Sequence, residues 1–178
     1  MTAPSQAPAA ITVRRARIGE LAPLLAMEQA AFTVDHLSRR SFRHFLLSPN
    51  ATFLVAEEGG ALAGYALVLY PPRSKLARLY SIAVAPHIGG RGVGPLLLAA
   101  AEDAAKRRRR RAMRLEVHEH NTRAIARYEK SGYRLFGRHR DYYDDHGDAL
   151  RFEKPLDAAP RSTATAPGKG LHSRANRL

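Results

Sequence analysis

The stretch Gly89-Gly-Arg-Gly-Val-Gly94 follows an apolar run ending at Val84 and precedes a long helical segment starting at Pro95. A strand, a glycine-dense turn and a helix start make a binding place for anions. Unpaired N–H groups point outward from the first helical turn, and the macrodipole adds roughly half a positive charge there. Gly90, Gly92 and Gly94 carry no side chain, so a phosphate group can approach the backbone closely, and Arg91 and Arg73 are available to add charge. The pattern lacks the Gly-Lys-Ser/Thr of a P-loop and the Gly-x-Gly-x-x-Gly spacing of a dinucleotide fold. Taken alone it is equally a loop with no ligand.

A second set of residues lies downstream. In Met113-Arg-Leu-Glu-Val117, strand alternation puts Arg114 and Glu116 on the face opposite Met113, Leu115 and Val117. A carboxylate flanked by apolar neighbours is a general-base candidate; the plainer alternative is a solvated residue paired with Arg114 or Arg134. Asn121 and Tyr128 are seven apart, two helical turns, and so share a face with Ala124 and Ile125. A tyrosine there is more often half-buried packing than a catalytic group. His118 and His120 alternate like a metal pair, but no third ligand stands at suitable spacing. His87 and His139 suggest no role.

The elements that must hold these residues follow from periodicity. Ile11–Arg15 alternates as a strand, and Ile18–Ala31 is helical with Leu21, Leu24, Leu25 and Glu28 at helical spacing and Pro23 in the first turn. Ser38–Leu47 is a second helix, capped by Ser38, with Phe42, Phe45 and Leu46 as its apolar stripe. Thr52–Glu57 and Ala61–Tyr70 form a hairpin about Glu58-Gly59-Gly60, and Lys75–Val84 is a further strand. A helix over Pro95 to about Arg109, a strand at 114–117, a helix over Asn121–Ser131 closed by Gly132, and strands at 133–140 and 149–154 complete the chain. The order β-α-α-β-β-β-α-β-α-β-β predicts a mixed α/β domain.

Composition narrows the classes. The chain has 178 residues, 45% of them hydrophobic, and no cysteine, which excludes disulfides, thiolate metal sites and cysteine nucleophiles. No apolar run reaches the roughly 18–20 residues of a membrane span, and the start MTAPSQAPAA lacks the basic and apolar regions of a secretory signal. A cytoplasmic location is expected. Residues 1–10 read as a disordered leader, 11–156 as the folded domain and 157–178 as a flexible basic tail. Lys and Arg number 29 against 16 Asp and Glu, a net charge of +13, which favours anionic partners. The run Lys106-Arg-Arg-Arg-Arg-Arg111 is either an RNA- or ribosome-docking segment or a solvated helix end, and it lacks the interleaved aromatics of base stacking.

Together, Tyr80-Ser-Ile-Ala-Val-Ala-Pro86, the Gly90–Gly94 turn, Leu115-Glu-Val117 and Asn121-x-x-Ala-Ile-x-x-Tyr-Glu-Lys-x-Gly-Tyr133 resemble the GNAT superfamily of acetyl-CoA-dependent N-acetyltransferases. Within it the chain is most similar to the RimI-like group, the ribosomal-protein-alanine N-acetyltransferases, whose C-terminal signature is echoed by Asp141-Tyr-Tyr143 and Gly147-Asp-Ala-Leu150. The likeness spans about residues 11–155. It implies a mostly antiparallel sheet of about seven strands flanked by about four helices.

The resemblance also assigns roles. It implies that Ile82, Ala83 and Val84 pair with the pantetheine arm of acetyl-CoA, that Gly89, Gly90, Arg91, Gly92, Val93 and Gly94 hold its pyrophosphate, and that Asn121 touches it. It implies Glu116 as the base that deprotonates the acceptor amine, Tyr128 as the acid for the departing sulfur, and Tyr142 and Tyr143 as walls of the acceptor channel. No metal is implied. The family's loop usually opens with Arg or Gln where this chain has Gly89, which removes one polar contact. Pro95, lacking an N–H, removes a phosphate donor. The aromatic residue common before the second helix is replaced by Asp35-His-Leu-Ser38. The expected acceptor is the α-amine of a protein or peptide, ribosomal proteins among them, by direct transfer. The alternatives are a small-molecule amine, a polyamine or a lysine side chain, and a basic ribosome- or RNA-binding module; specific nucleic-acid recognition and membrane contact are not expected.

Overall fold

In the computed structural model, which describes residues 10–32 and 36–157, seven strands form a single sheet in the order β1-β2-β3-β4-β5-β7-β6. The strands are β1 (Ile11–Arg15), β2 (Ala51–Glu58), β3 (Ala61–Leu69), β4 (Leu76–Val84), β5 (Ala112–His118), β6 (Arg134–His139) and β7 (Ala149–Pro155). The helices are α1 (Leu21–Ala31), α2 (Arg39–Leu47), α3 (Val93–Arg107) and α4 (Thr122–Lys130). The element order is the one expected from periodicity, and every strand pair is antiparallel except β4 with β5. Apart from Ala10 and Asp157, the leader and tail expected at 1–10 and 157–178 lie outside the described residues. Among the described residues, no helix is long and apolar enough to cross a membrane.

Local signals account for most boundaries. The Ser38 hydroxyl accepts from the Ser41 N–H at 3.1 Å and starts α2. Gly59 and Gly60 sit at φ 56° and 86°, the left-handed pair that a two-residue hairpin needs. Pro23 falls in the first turn of α1, where its missing N–H costs no bond. The third helix departs from expectation: α3 begins at Val93 rather than Pro95, with Gly92 as its cap at φ 79°. Pro95 is therefore the third helical residue, still among the four whose N–H has no intrahelical acceptor.

The feature that shapes the site is a short pairing. Only Leu76, Ala77 and Arg78 of β4 pair with β5, opposite Ala112, Met113 and Arg114. Just beyond, the β3–β4 register slips: Leu67 faces Ser81 and Val68 faces Leu79, leaving Tyr80 as an extra residue on β4. Such a bulge bends its strand. From Tyr80 to Val84 β4 diverges from β5, opening the sheet into a wedge. The core fills both faces of the β2–β4 half. Phe42 of α2 packs on Phe53 and Tyr65, with ring centroids at 5.4 and 5.8 Å, and Leu97, Leu98, Ala101 and Ala105 of α3 are buried in the same cluster.

Candidate active site

The mouth of the wedge is a cleft of about 380 Å³ lined by Ala83, Val84, Ile88, the glycine loop and first turn of α3 from Gly89 to Pro95 apart from Arg91, the end of α1 with Phe32 just beyond it, and Arg123 and Arg127 of α4. Gly90 and Gly92 hold φ of 86° and 79°, and a Cβ at either would meet nothing within 4 Å, so the loop's backbone faces open space. The N–H groups of Val93 and Gly94 begin α3 without helical acceptors, and the first bond beyond Pro95 is from the Leu96 N–H to the Gly92 carbonyl at 3.2 Å. A Cβ on Gly94 would lie 2.8 Å from Nη1 of Arg127. A guanidinium thus stands against the positive end of a helix, an arrangement that repels itself unless an anion lies between. A pyrophosphate suits this donor set.

Arg127 and Arg123 escaped sequence reasoning, although they stand on successive turns of the same helix as Asn121 and Tyr128. Two expected cations are elsewhere. Arg91 extends away from the cleft to Glu58 at the end of β2, its Nη1 donating to the carboxylate at 2.7 Å. Arg73 lies in the turn before β4, at the opposite end of that strand from the glycine loop. Gly89 lines the cleft as expected, as do Ala83 and Val84, whereas Ile82 is buried in the core beside them. Asn121 caps α4, its Oδ1 accepting from the Ala124 N–H at 3.1 Å, so that oxygen is committed to the helix.

Glu116 is neither solvated nor paired with Arg114 or Arg134. It is only 5% exposed, and its Oε2 accepts from Nε and Nη2 of Arg78 at 3.0 and 2.6 Å. Arg151, its cross-strand partner on β7, approaches Oε1 with Nε at 3.6 Å. Arg114 pairs instead with Glu153. Tyr142 joins the cluster through its hydroxyl, 3.4 Å from Nη2 of Arg78. Its ring stacks on His139 at 5.6 Å and meets Tyr143 edge-on at 5.1 Å. His139, which suggested no role in the sequence, is held below its ordinary range, first by burial and then by the charge of Arg151, against which Glu116 acts weakly.

Tyr128 is completely buried, and its hydroxyl has no hydrogen-bond partner among the described residues. Burial drives its phenol far above the usual tyrosine range, so the proton stays on the oxygen at any physiological pH. Tyr143 stands where both centres act on it: after burial, Glu116 and Tyr128 are among the influences that raise its phenol. Carboxylate, orphaned hydroxyl and tyrosine pair are thus gathered about the divergence of β4 from β5.

Other polar groups have structural tasks. Both nitrogens of His118 are engaged, Nδ1 by the His120 N–H at 3.1 Å and Nε2 by Asp145 at 3.1 Å. In the basic run, Arg108 donates to the Pro49 carbonyl at 2.7 Å and lies 4.5 Å from the Tyr70 ring centroid, and Arg110 donates to the Ser74 carbonyl. In the last turn of α1, buried Glu28 accepts from the Leu37 N–H at 2.8 Å and from the Tyr65 hydroxyl, which also meets Ser81 at 2.9 Å. It ties the connection into α2 to strands β3 and β4.

Comparison with known proteins identifies the family and the fold. Residues 21–133 match the profile of the Acetyltransferase (GNAT) family. A Bacillus subtilis (strain 168) protein bearing the name ribosomal protein bS18-alanine N-acetyltransferase is 32% identical over 140 residues, 78% of this chain and 91% of that one. The crystal structure of the Escherichia coli ribosomal-protein-S18-alanine N-acetyltransferase superposes with a TM-score of 0.76 at 25% identity, covering 88% of this chain and all of that one. YncA of Salmonella typhimurium, solved with its cofactor acetyl-CoA, shares the fold at 20% identity, with a TM-score of 0.73 over 88% of this chain and 99% of that one.

Proposed function

Because the chain belongs to the Acetyltransferase (GNAT) family, and so is an enzyme of acetyl transfer, we propose that its acceptor is the α-amine of a protein or peptide. The observation that carries this reading is a seated carboxylate, Glu116, and a buried, unpartnered hydroxyl, Tyr128, both near enough to Tyr143 to act on its phenol. The names of the relatives, which specify alanine N-acetylation of ribosomal protein S18, support the same acceptor class.

In this reading the backbone of Ile82–Val84, the loop Gly89–Gly94 and the guanidiniums of Arg123 and Arg127 hold acetyl-CoA, with Asn121 fixing the start of α4 beside them. When bound, acetyl-CoA supplies an acyl group on a good sulfur leaving group. Glu116 takes a proton from the acceptor ammonium, directly or through a water. Tyr128 keeps a proton on its hydroxyl oxygen, ready for the sulfur. Tyr142 and Tyr143 wall the acceptor side, and the chain's lack of cysteine fits direct transfer. A terminal α-amine has a pKa near 7.7–8.0 against about 10.4 for lysine, so deprotonating it at neutral pH is cheaper by roughly 3.5 kcal/mol. A carboxylate base suffices for the former.

The test is mass spectrometry of Ala-, Ser- and Met-initiated peptides, free polyamines and an N-terminally blocked lysine peptide after incubation with acetyl-CoA. The acetyl group is expected on the terminal nitrogen. Exclusive labelling of small amines or of lysine overturns the proposed acceptor. Glu116→Gln should lower kcat by about 10²-fold or more while acetyl-CoA affinity stays within a factor of two.

A further inference from the structure

The acceptor side of the sheet carries more positive than negative charge. Cross-strand partners share a face, so Arg78, Arg114, Glu116, Arg151 and Glu153 stand together on the half-exposed face of β4, β5 and β7. Arg114 is matched by Glu153 at 2.5 Å. Arg78 gives two hydrogen bonds to one oxygen of Glu116 and a third, longer one to the Tyr142 hydroxyl. That leaves Arg151. Its Nε, at 3.6 Å, is outside hydrogen-bond reach of Glu116, is buried, and has no hydrogen-bond partner among the described residues. Its guanidinium rests 4.6 Å from the Phe136 ring centroid, a contact that offers π density but no oxygen.

A desolvated guanidinium edge of this kind is complementary to a carboxylate. Neutralising Glu116 does not require Arg151, since Arg78 already does so with better geometry. From this we infer that Arg151 is a specificity residue which receives a carboxylate of the acceptor, and that the enzyme favours amino termini whose next residue is Asp or Glu.

The spacing is suitable. Directly opposed side chains in an antiparallel pair begin about 5 Å apart, and an extended peptide advances about 3.3 Å per residue. An amine at Glu116 therefore brings the side chain of the following residue to Arg151. The stacked pair of His139 and Tyr142 borders the same place and supplies no competing anion. The inference rests on the proposed role of Glu116 as the amine's base.

The experiment is a kcat/KM comparison across Ser-Asp-, Ser-Glu-, Ser-Gln- and Ser-Lys-initiated peptides of otherwise identical sequence, with free aspartate and glutamate as further acceptors. Wild-type enzyme should prefer the acidic peptides to the Gln peptide by about tenfold, the worth of one charge-assisted hydrogen bond, with Lys the poorest. Arg151→Gln should bring the acidic-to-Gln ratio to about one, and Arg151→Glu should turn it in favour of Lys. Because the readout is a ratio within each variant, a loss of folded enzyme does not imitate it. Equal rates for acidic and Gln peptides in the wild type, or an acidic preference that survives Arg151→Gln, overturns the inference. Acetylation of the free acidic amino acids with no peptide labelled overturns the peptide preference inferred here and the acceptor class proposed above. Peptides labelled without regard to charge overturn the inference alone.

Discussion

Removing the Tyr128 hydroxyl should move stability and activity in opposite directions. Tyr128→Phe deletes one buried oxygen that has no hydrogen-bond partner among the described residues. A buried polar group left unsatisfied costs about 1–3 kcal/mol, and an isosteric apolar replacement recovers part of that. Allowing for contacts the oxygen makes with its surroundings, the variant should gain about 1 kcal/mol, or about 2–4 °C in Tm for a chain of this size. The same change withdraws the proton donor and should lower kcat by about 10²-fold or more, with acetyl-CoA binding by calorimetry nearly unchanged. Ordinary packing of the ring predicts the gain in stability without the loss of rate. A structural hydrogen bond predicts a lower Tm. Wild-type kcat in Tyr128→Phe refutes the assignment of the acid, and a drop in Tm refutes the claim that the hydroxyl is kept at a cost in stability.

Gly64→Ala should destabilise the fold by about 1–3 kcal/mol in urea titration, because the new Cβ would stand 2.7 Å from the Ala83 carbonyl oxygen of β4 and 2.9 Å from Cδ1 of Leu97; an unchanged midpoint contradicts the tight packing of β3 beneath α3. Arg127→Gln should weaken acetyl-CoA binding by about tenfold and reduce its salt dependence, measured by calorimetry at low and high ionic strength; wild-type affinity would remove Arg127 from the phosphate site. His139 titrates below its ordinary 6.5 in the folded state, chiefly through burial. The folded protein then binds fewer protons than the unfolded chain between those two values. Its contribution is complete above pH 6.5 and is lost as pH falls through the folded value. Denaturation midpoints compared at pH 7.5 and 5.5 should fall less for His139→Gln than for wild type, and equal falls would contradict that burial.

The expected boundaries held where the signal was local. Ser38, Asn121, Gly132 and the Gly59-Gly60 pair each satisfy or strain the backbone within a few residues of themselves, so residue type alone points to the turn or cap. The start of α3 was misjudged because proline reads as a first residue, whereas left-handed Gly92 opens the helix two residues before it. At the site, the glycine loop, Glu116 and Tyr128 are legible because each stands inside a short pattern. Their partners are not: Arg78 is 38 residues before the carboxylate it holds, and Arg91 finds Glu58 33 residues away. Glu28 looked like one position of a helical stripe, and only packing against Tyr65 shows it as a buried anchor.

By itself the sequence determined the number, kind and order of the elements, the glycine-dense turn ahead of α3, and the exclusion of cysteine chemistry. These depend on the periods of strand and helix, on glycine's freedom and on composition, none of which requires distant residues to meet. Tertiary structure decided where charge lies. The bulge at Tyr80 stands where β4 leaves β5 and the wedge opens, the packing of α4 brings Arg127 to the first turn of α3, and the pairing of β5 with β7 sets Arg151 across from Glu116. Arginine's long side chain can serve many neighbours, and which one it serves is settled only when strands far apart in the chain lie side by side.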